Sequence, residues 1–483
     1  MKFYVSHSIK EIEENLSRVR KDEWGSLSIR FREELGIPTR ERVVITGHQP
    51  ILYYPGIFTK LILAYLISCH IGGRCYYIVL DVDQQFVDWK FLWFQNGIYR
   101  EDFLLSNPKE VLLNQILQGD FKKKLFEKIR EWRLHLYSLF EPSVVPKIQK
   151  ALDFTEELFS KKNQLTISEL STGINQFIMK ELGFHVQPIY LSKIIKTQSF
   201  FYLVDFIKKN YKIFQLIYNQ TLDEFRKKYH EYFFSYLKND ELPLWKSDGY
   251  KRETLKVNDD LSEIPYIFPK AFMLSFIIRM FLSDLMIHGT GGGFYDQVTE
   301  TIIERFLEQK PSPCVVTTST FYLQPKASFS VDYPSVEEIR RKLRKWKFNP
   351  EIFLDNDCEL RLKKLYLIHL KNYLDSQFQK IKRNYVFDDS WLNHNIKNEY
   401  VDLQKRIQES SESYGYHLHQ EFLKLNHKMH LYSLGIKRNL MSMLKKAQEA
   451  DYHRRIFFDR TYPIFYYDYE KIYEQIRNDF IST

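Results

Sequence analysis

The chain opens on an amphipathic helical pattern, Ile9–Arg20, and then changes period. Arg42–Thr46 carries a continuous apolar run, Val43-Val44-Ile45, that stops at Gly47, as expected of a strand buried on both faces. Pro50–Gly56 reads as a loop, and Ile57–His70 has helical spacing with Lys60 and Tyr65 breaking its apolar face. Gly72-Gly73 ends that helix, and Cys75–Leu80 is a second strand. Strand, loop, helix and strand in this order form a βαβ unit, which predicts a parallel sheet with a right-handed crossover. A helix is expected next over Phe86–Phe94, with Asp88-Trp89 on it.

From about Asn107 to Leu244 the period is helical and aromatic, with Phe121–Phe140, Thr155–Lys161 and Phe200–Leu237 as its clearest segments and one β-like piece at His185–Leu191. The α/β pattern then returns. Ala271–Ile287 is a buried helix or helix-to-strand passage, Gly289–Gly293 a glycine-rich loop, Tyr295–Glu308 an amphipathic helix and Cys314–Thr318 a buried strand. A sheet that is left and re-entered implies a discontinuous domain.

Leu360, Leu367, Leu374 and Ile381 repeat every seven residues. After a break at Phe387-Asp388-Asp389, apolar positions from Tyr400 and Leu403 to Met429 and Tyr432 continue in steps of three and four. This predicts a long antiparallel coiled-coil hairpin, Leu360–Met443. Its second arm would reach on the order of 80 Å if unbroken, and its exposed seam would suit a second copy in a homodimer. The expected organisation is residues 1–106 as the first part of the α/β core, 107–250 as a mostly helical insertion, 251–350 as the second part of the core, 351–450 as the hairpin and 451–483 as a return segment.

A length of 483 residues suits two or three domains. The aromatic content of 16% predicts bulky helix packing. The net charge of +9 is spread among interleaved acids, which argues against a nucleic-acid partner. Cys69, Cys75, Cys314 and Cys358 lack CxxC spacing, so a reduced, cytoplasmic protein without a cysteine-paired metal is expected, with Cys69 in the core. Met1-Lys2-Phe3-Tyr4 does not begin a signal peptide, and the most apolar stretch, Ala271–Ile287, is interrupted by Arg279 and Asp284, so no membrane association is expected. His417, His419, His427 and His430 fall on the hairpin and read as solvated positions.

Three polar clusters leave the predicted strands at their carboxyl ends, where α/β sheets bind ligands. Thr46-Gly47-His48-Gln49-Pro50 offers a close backbone approach at Gly47, an anion contact at His48 and a donor-acceptor pair at Gln49. Asp81-Val82-Asp83-Gln84-Gln85 places two carboxylates two residues apart, able to grip a ribose, an ammonium group or a Mg²⁺ ion. His288-Gly289-Thr290-Gly291-Gly292-Gly293-Phe294-Tyr295 sets backbone N–H groups before a helix, suited to phosphate or carboxylate. The chain carries neither the dinucleotide GxGxxG nor the GxxxxGK[ST] loop, and it has no GxSxG.

In this order the clusters resemble the cysteine-adding enzymes of bacillithiol biosynthesis. Thr46-Gly47-His48-Gln49 followed by Pro55-Gly56 is similar to that family's first turn, Asp81-Val82-Asp83 to its acidic motif and Gly289–Tyr295 to its glycine-rich turn before a Tyr-containing helix. The coiled coil that the family uses to dimerise resembles Leu360–Met443. The differences are His48 in place of Gln, no histidine between the two acids, and no Glu closing the glycine turn. The resemblance implies a Rossmann-like core with helical insertions, an ATP or ADP pocket, and a ligase that joins cysteine to malyl-glucosamine. In that reading His48, Gln49 and Asp83 would be catalytic, while Gly47, Asp81, His288, Gly289, Gly291, Gly292, Gly293 and Tyr295 would hold the nucleotide. The alternative is a non-catalytic nucleotide-binding scaffold assembled through the hairpin.

Overall fold

The computed structural model describes residues 2–16, 23–84, 87–94, 98–106, 112, 114, 119–162, 164–230, 234–323, 333–377, 390–392, 394–409 and 414–482. The chain is mixed α/β and divides into two units. The first comprises Met1–Lys326 with Ile456–Thr483, and the second Ala327–Arg455.

The first unit is built on a six-stranded sheet. β1 is Lys2–Val5, β2 Val43–His48 and β3 Arg74–Val79. Beyond β3 come a hairpin, β4 Val87–Phe94 with β5 Ile98–Ser106, and then β6, Gln187–Tyr190. A separate three-stranded sheet follows, with β7 Glu241–Ser247 between β8 Arg252–Lys256 and β9 Tyr266–Pro269. β10, Leu285–His288, and β11, Cys314–Thr320, complete the main sheet, whose order is β6-β3-β2-β10-β11-β1. β2, β3, β6, β10 and β11 run parallel, and β1 closes the edge antiparallel to β11.

β2 and β3 are buried along most of their length because helices cover the sheet, which is why they read as continuous apolar runs. Helix Pro55–His70 joins them, starting at a proline whose missing N–H costs nothing there. Gly72, at φ +64°, takes the left-handed turn that follows this helix, and a Cβ on Gly73 would lie 2.5 Å from the Arg42 carbonyl oxygen. Both glycines are therefore fixed by geometry.

Four expectations change in this unit, the first being Cys69, which is exposed near the end of helix Pro55–His70 instead of lying in the core. Val87–Phe94 is a strand, because its burial alternates in its first half and it pairs antiparallel with β5; Gln85 and Phe86 lie outside the described residues. The β-like piece in the helical region is β6, a member of the main sheet beside β3. The aromatic excess is not spent on helix packing alone, since Trp89 and Phe91 of β4 meet Trp132 and Tyr466 in a buried cluster. In that cluster Trp89 Nε1 donates to the Tyr466 hydroxyl, which in turn donates to the Lys90 carbonyl.

The second unit is helical, with Val336–Phe348, Glu359–Gln377, His394–Glu399, Val401–Glu409 and Tyr414–Tyr432 as its elements and Leu434–Phe457 leading out of it. Tyr366, Leu367 and Leu370 pack with Leu403, Leu418, Leu425 and Met429. The two arms therefore meet, but the second is not one rod, since helices end at Glu399 and at Tyr432; Ile381 and the break at Phe387–Asp389 lie outside the described residues. The longest described helix lying wholly within that arm, Tyr414–Tyr432 with 19 residues, spans about 28 Å, so the arm is not a single unbroken helix of the expected length. Tyr432 is exposed, and His430 is tied to the Trp346 and Lys347 carbonyls at 3.1 Å. Among the described residues no helix is long and apolar enough to cross a membrane.

Candidate functional site

Along the main sheet the chain builds outward from β2 to β3 and β6, then returns to the other side of β2 with β10 and β11. The direction of winding thus reverses between β2 and β10, and their carboxyl ends flank a crevice. Thr46 stitches the two strands by donating to the Ile287 carbonyl at 2.9 Å. Above them opens a cavity of about 970 Å³, walled by the strand ends, the start of helix Thr290–Leu307 and the three-stranded sheet.

The cavity brings together Gly47, His48, Gln49, Asp83, His288, Gly289, Gly291, Gly292 and Tyr295. Two predicted residues do not line it. Asp81 is buried, and its carboxylate accepts the Ser192 N–H at 2.9 Å, which ties the end of β3 to the chain following β6; desolvation raises its pKa. Gly293 faces the sheet, where a Cβ would stand 2.2 Å from Val316 Cγ2. The paired-carboxylate grip on a ribose or Mg²⁺ is not formed either. Both oxygens of Asp83 are engaged, one with Arg252 Nη1 at 2.6 Å and the Gln84 N–H at 2.8 Å, the other with Gln49 Nε2 at 3.1 Å.

The glycine cluster is the first turn of a helix, with Gly289 as N-cap and Gly291–Gly293 inside it. Gly293 N–H is the first to bond back, to the Gly289 carbonyl at 2.8 Å, and no side chain caps the end. The preceding N–H groups have no partner within the helix and stand at the cavity wall. A Cβ on Gly292 would lie 2.4 Å from His288 Nδ1, whereas Gly291 has nothing within 4 Å. Gly292 and Gly293 are thus packing requirements, and Gly291 opens to the cavity.

The residue that sequence reading undervalued is Lys60. Its side chain reaches from helix Pro55–His70 under the end of β2, is 6% exposed and donates to the Gly47 carbonyl at 2.8 Å. Burial lowers its pKa to about 7. His48, beside it, is held neutral: burial first, then the Lys60 charge, pushes its pKa down to about 3, opposed by its bond to the Gln49 carbonyl. Lys270 and Arg460 also line the cavity, and among the described residues no carboxylate lies within salt-bridge distance of Lys60, Lys270 or Arg460. Lys270 and Arg252 approach the Trp245 ring at 4.5 and 5.0 Å. Burial, partly offset by Glu241, lowers Lys270 to about 8.

The signal for Lys60 was present, as a lysine interrupting an apolar helical face. Lys270, Arg252 and Trp245 had none, because the helical period was read to end at Leu244 and no element was assigned between there and Ala271, where most of the three-stranded sheet lies. The site is therefore a cationic cavity with several aromatic rings in its walls and a helix start without a side-chain cap on one of them, suited to a small anion-bearing molecule. No protein-family model matches the chain, and no curated protein matches it.

Proposed function

We propose that the first unit is a nucleotide-dependent ligase that binds ATP or ADP phosphates between Lys60 and the start of helix Thr290–Leu307 and joins an amino acid, cysteine by the resemblance, to a small acceptor such as malyl-glucosamine. The observation that carries this reading is Lys60, a buried ammonium with a carbonyl as its partner and, among the described residues, no carboxylate at salt-bridge distance. Such a charge is costly unless an anion joins it. The order β6-β3-β2-β10-β11, with its reversal between β2 and β10, accords with a Rossmann-like nucleotide fold, apart from the antiparallel β1 at the edge, and supports the same placement.

In the ligation the amino-acid carboxylate attacks a phosphorus of the nucleotide, and the bond from that phosphorus to the departing phosphate breaks. The acceptor amine then attacks the acyl carbon of this mixed anhydride, the C–O bond to the phosphoryl oxygen breaks with release of phosphate or AMP, and the amine's proton passes to solvent. Lys60, Lys270 and the helix N–H groups would stabilise charge on the phosphates as it develops. His48, neutral, and Gln49, fixed by Asp83, would orient the carboxylate.

A second reading, a nucleotide-binding scaffold without turnover, is favoured by Asp83, since both of its oxygens are already engaged. Thermal melts with millimolar ATP, ADP and cysteine address the pocket, since a ligand of the folded state raises its melting temperature. Mass spectrometry of a mixture with cysteine and malyl-glucosamine addresses turnover. Stabilisation with product supports the ligase, stabilisation without product the scaffold, and no nucleotide shift overturns both. By the same resemblance the second unit is proposed to pair two chains, with exposed Tyr416, Leu423, Leu431 and Tyr432 available for the contact. Sedimentation at the monomer mass would exclude it.

A further inference from the structure

Behind the β10 wall of the cavity lies a group of which the nucleotide reading uses only His288. β10 and β11 are parallel with Met286 opposite Cys314, so His288 and Cys314 project to the same face of the sheet, two residues apart in register. Helix Thr290–Leu307 covers that face, and Asp296, 2% exposed, points down onto it. One ligand atom from each of His288, Asp296 and Cys314 falls within 4.8 Å of the other two. His288 Nε2 and Asp296 Oδ1 are 3.7 Å apart.

The two oxygens of Asp296 have different surroundings. Oδ2 accepts Arg279 Nη1 at 2.7 Å, and Arg279 is itself locked by the Ser312 carbonyl and Glu300, both at 2.8 Å. Arg279 sits in the π-helical turn Ile278–Leu282. Oδ1 is buried and, among the described residues, has no hydrogen-bond partner. A buried carboxylate oxygen left without a donor is expensive, and this one faces an imidazole nitrogen and a thiol.

We propose that His288, Asp296 and Cys314 bind a divalent transition-metal ion, zinc by ligand chemistry, with a fourth position open beside Ser275 toward the cavity. Imidazole, carboxylate and thiolate together are a zinc donor set, and three protein ligands with one open position are the form in which zinc holds a water or a substrate atom. Bonds of about 2.0–2.3 Å set tetrahedral ligand atoms about 3.3–3.6 Å apart. The His288–Asp296 pair is already close to that, and the thiol has to close by about an ångström. Arg279 orients the carboxylate from behind, as outer-shell partners of metal ligands do. The charges also close: Zn²⁺ and Arg279 balance a Cys314 thiolate, Asp296 and Glu300. Ser275 Oγ, 3.4 Å from His288 Nε2, shares the cavity wall with His288. The proposal stands apart from the nucleotide reading, since it uses neither Lys60 nor a phosphate.

The test uses the full chain purified without chelator or affinity metal, then exchanged into excess zinc or cobalt chloride and desalted. Elemental analysis should give about one ion per chain, and the cobalt form should show a thiolate-to-cobalt charge-transfer band. Cys314→Ser should lose that band and at least tenfold in zinc affinity, while Cys358→Ser keeps both. Circular dichroism and a thermal melt establish that each variant is folded. If Cys314→Ser does not fold, Ser275→Ala with His288→Gln replaces it, with Ser275→Ala retaining the ion and His288→Gln losing it. Zinc affinity should fall as pH is lowered, because protons compete for the imidazole and the thiolate. Less than a tenth of an ion per folded chain after exchange, or an unchanged cobalt band in Cys314→Ser, overturns the proposal.

Discussion

The two strand ends that flank the crevice are near mirror images in sequence, a histidine beside a glycine at the end of a buried parallel strand, yet they carry opposite electrostatics. At the end of β2, His48 is backed by Lys60, and both are pushed toward neutrality by burial. At the end of β10, His288 is backed by Asp296, which keeps its charge despite burial: the neighbouring His288 and Arg279 pull its pKa down to about 2. The first side asks for an anion, and the second already holds negative charge. A histidine at a strand carboxyl end therefore says little by itself; the residue that the covering helix places behind it decides what it can bind.

The largest effect is expected where the β10 end is built by close approach. Gly293→Val would drive a side chain into Val316, where a Cβ alone stands 2.2 Å away, and overpacking of this kind costs about 1–3 kcal/mol or more. Gly292→Ala should be next, because its methyl meets the His288 ring. Gly291→Ala has open space and should leave the melting temperature within about 1 °C while weakening phosphate binding. Equal melting-temperature losses at all three positions, read by calorimetry, would erase the distinction between packing glycines and a cavity glycine.

Lys60→Met sharpens the β2 side. It keeps most of the aliphatic stem and removes the charge, so nucleotide affinity should fall about ten- to a hundredfold, the worth of one charge-assisted bond of about 1.5–3 kcal/mol. Stability should move the other way. The folded chain releases the Lys60 proton near pH 7, whereas the unfolded chain keeps it up to the ordinary 10.5. Between those values the unfolded state binds more protons, so this group makes the wild type gain stability as pH rises from 7 toward 10.5, and below 7 the full penalty applies. Lys60→Met should flatten that slope and melt higher at neutral pH. A phosphate ligand should also cause proton uptake near neutrality, which calorimetry in buffers of different ionisation enthalpy detects. A steeper slope in the variant would mean that an anionic partner already holds Lys60 charged.

The sheet that makes the crevice was legible because β2, β3 and β10 are buried on both faces and write continuous apolar runs, whereas β11, whose burial alternates, shows only Val315-Val316 of that pattern. Their polar ends were legible for the same reason, and most of the residues singled out there do meet at one cavity. What could not be read was what approaches from elsewhere in the chain. β4 alternates only in part and was taken as helix, and β7, β8 and β9 are short strands that begin where the helical period ends, in a stretch to which no element was assigned. The cations over Trp245 were lost with them. Gly292 and Gly293 looked like a phosphate loop because sequence does not tell a glycine that admits a ligand from one that admits a neighbouring side chain. Asp81 fell on the wrong side of its turn for a reason that spacing does not encode: it reaches the Ser192 N–H, 111 residues onward.

The smallest effect expected is His48→Ala, and its size separates the two ends of the crevice most directly. Were His48 protonated, its loss would cost as much as that of Lys60. Burial and the adjacent Lys60 hold it neutral, with a pKa near 3, so it can offer a ligand only a neutral hydrogen bond. Such a bond is worth about 0.5–1.5 kcal/mol, a two- to about tenfold loss of nucleotide affinity. The variant should show no change in the pH dependence of binding between about pH 5 and 8, a window in which an ordinary histidine titrates. His288→Ala should differ in kind, disturbing the surroundings of Asp296 while leaving Lys60 intact. Isothermal titration with ATP across that pH range compares them, and a pH-dependent loss of the charge-assisted size in His48→Ala would show that the β2 end carries a charged histidine and that the asymmetry between the two strand ends does not hold.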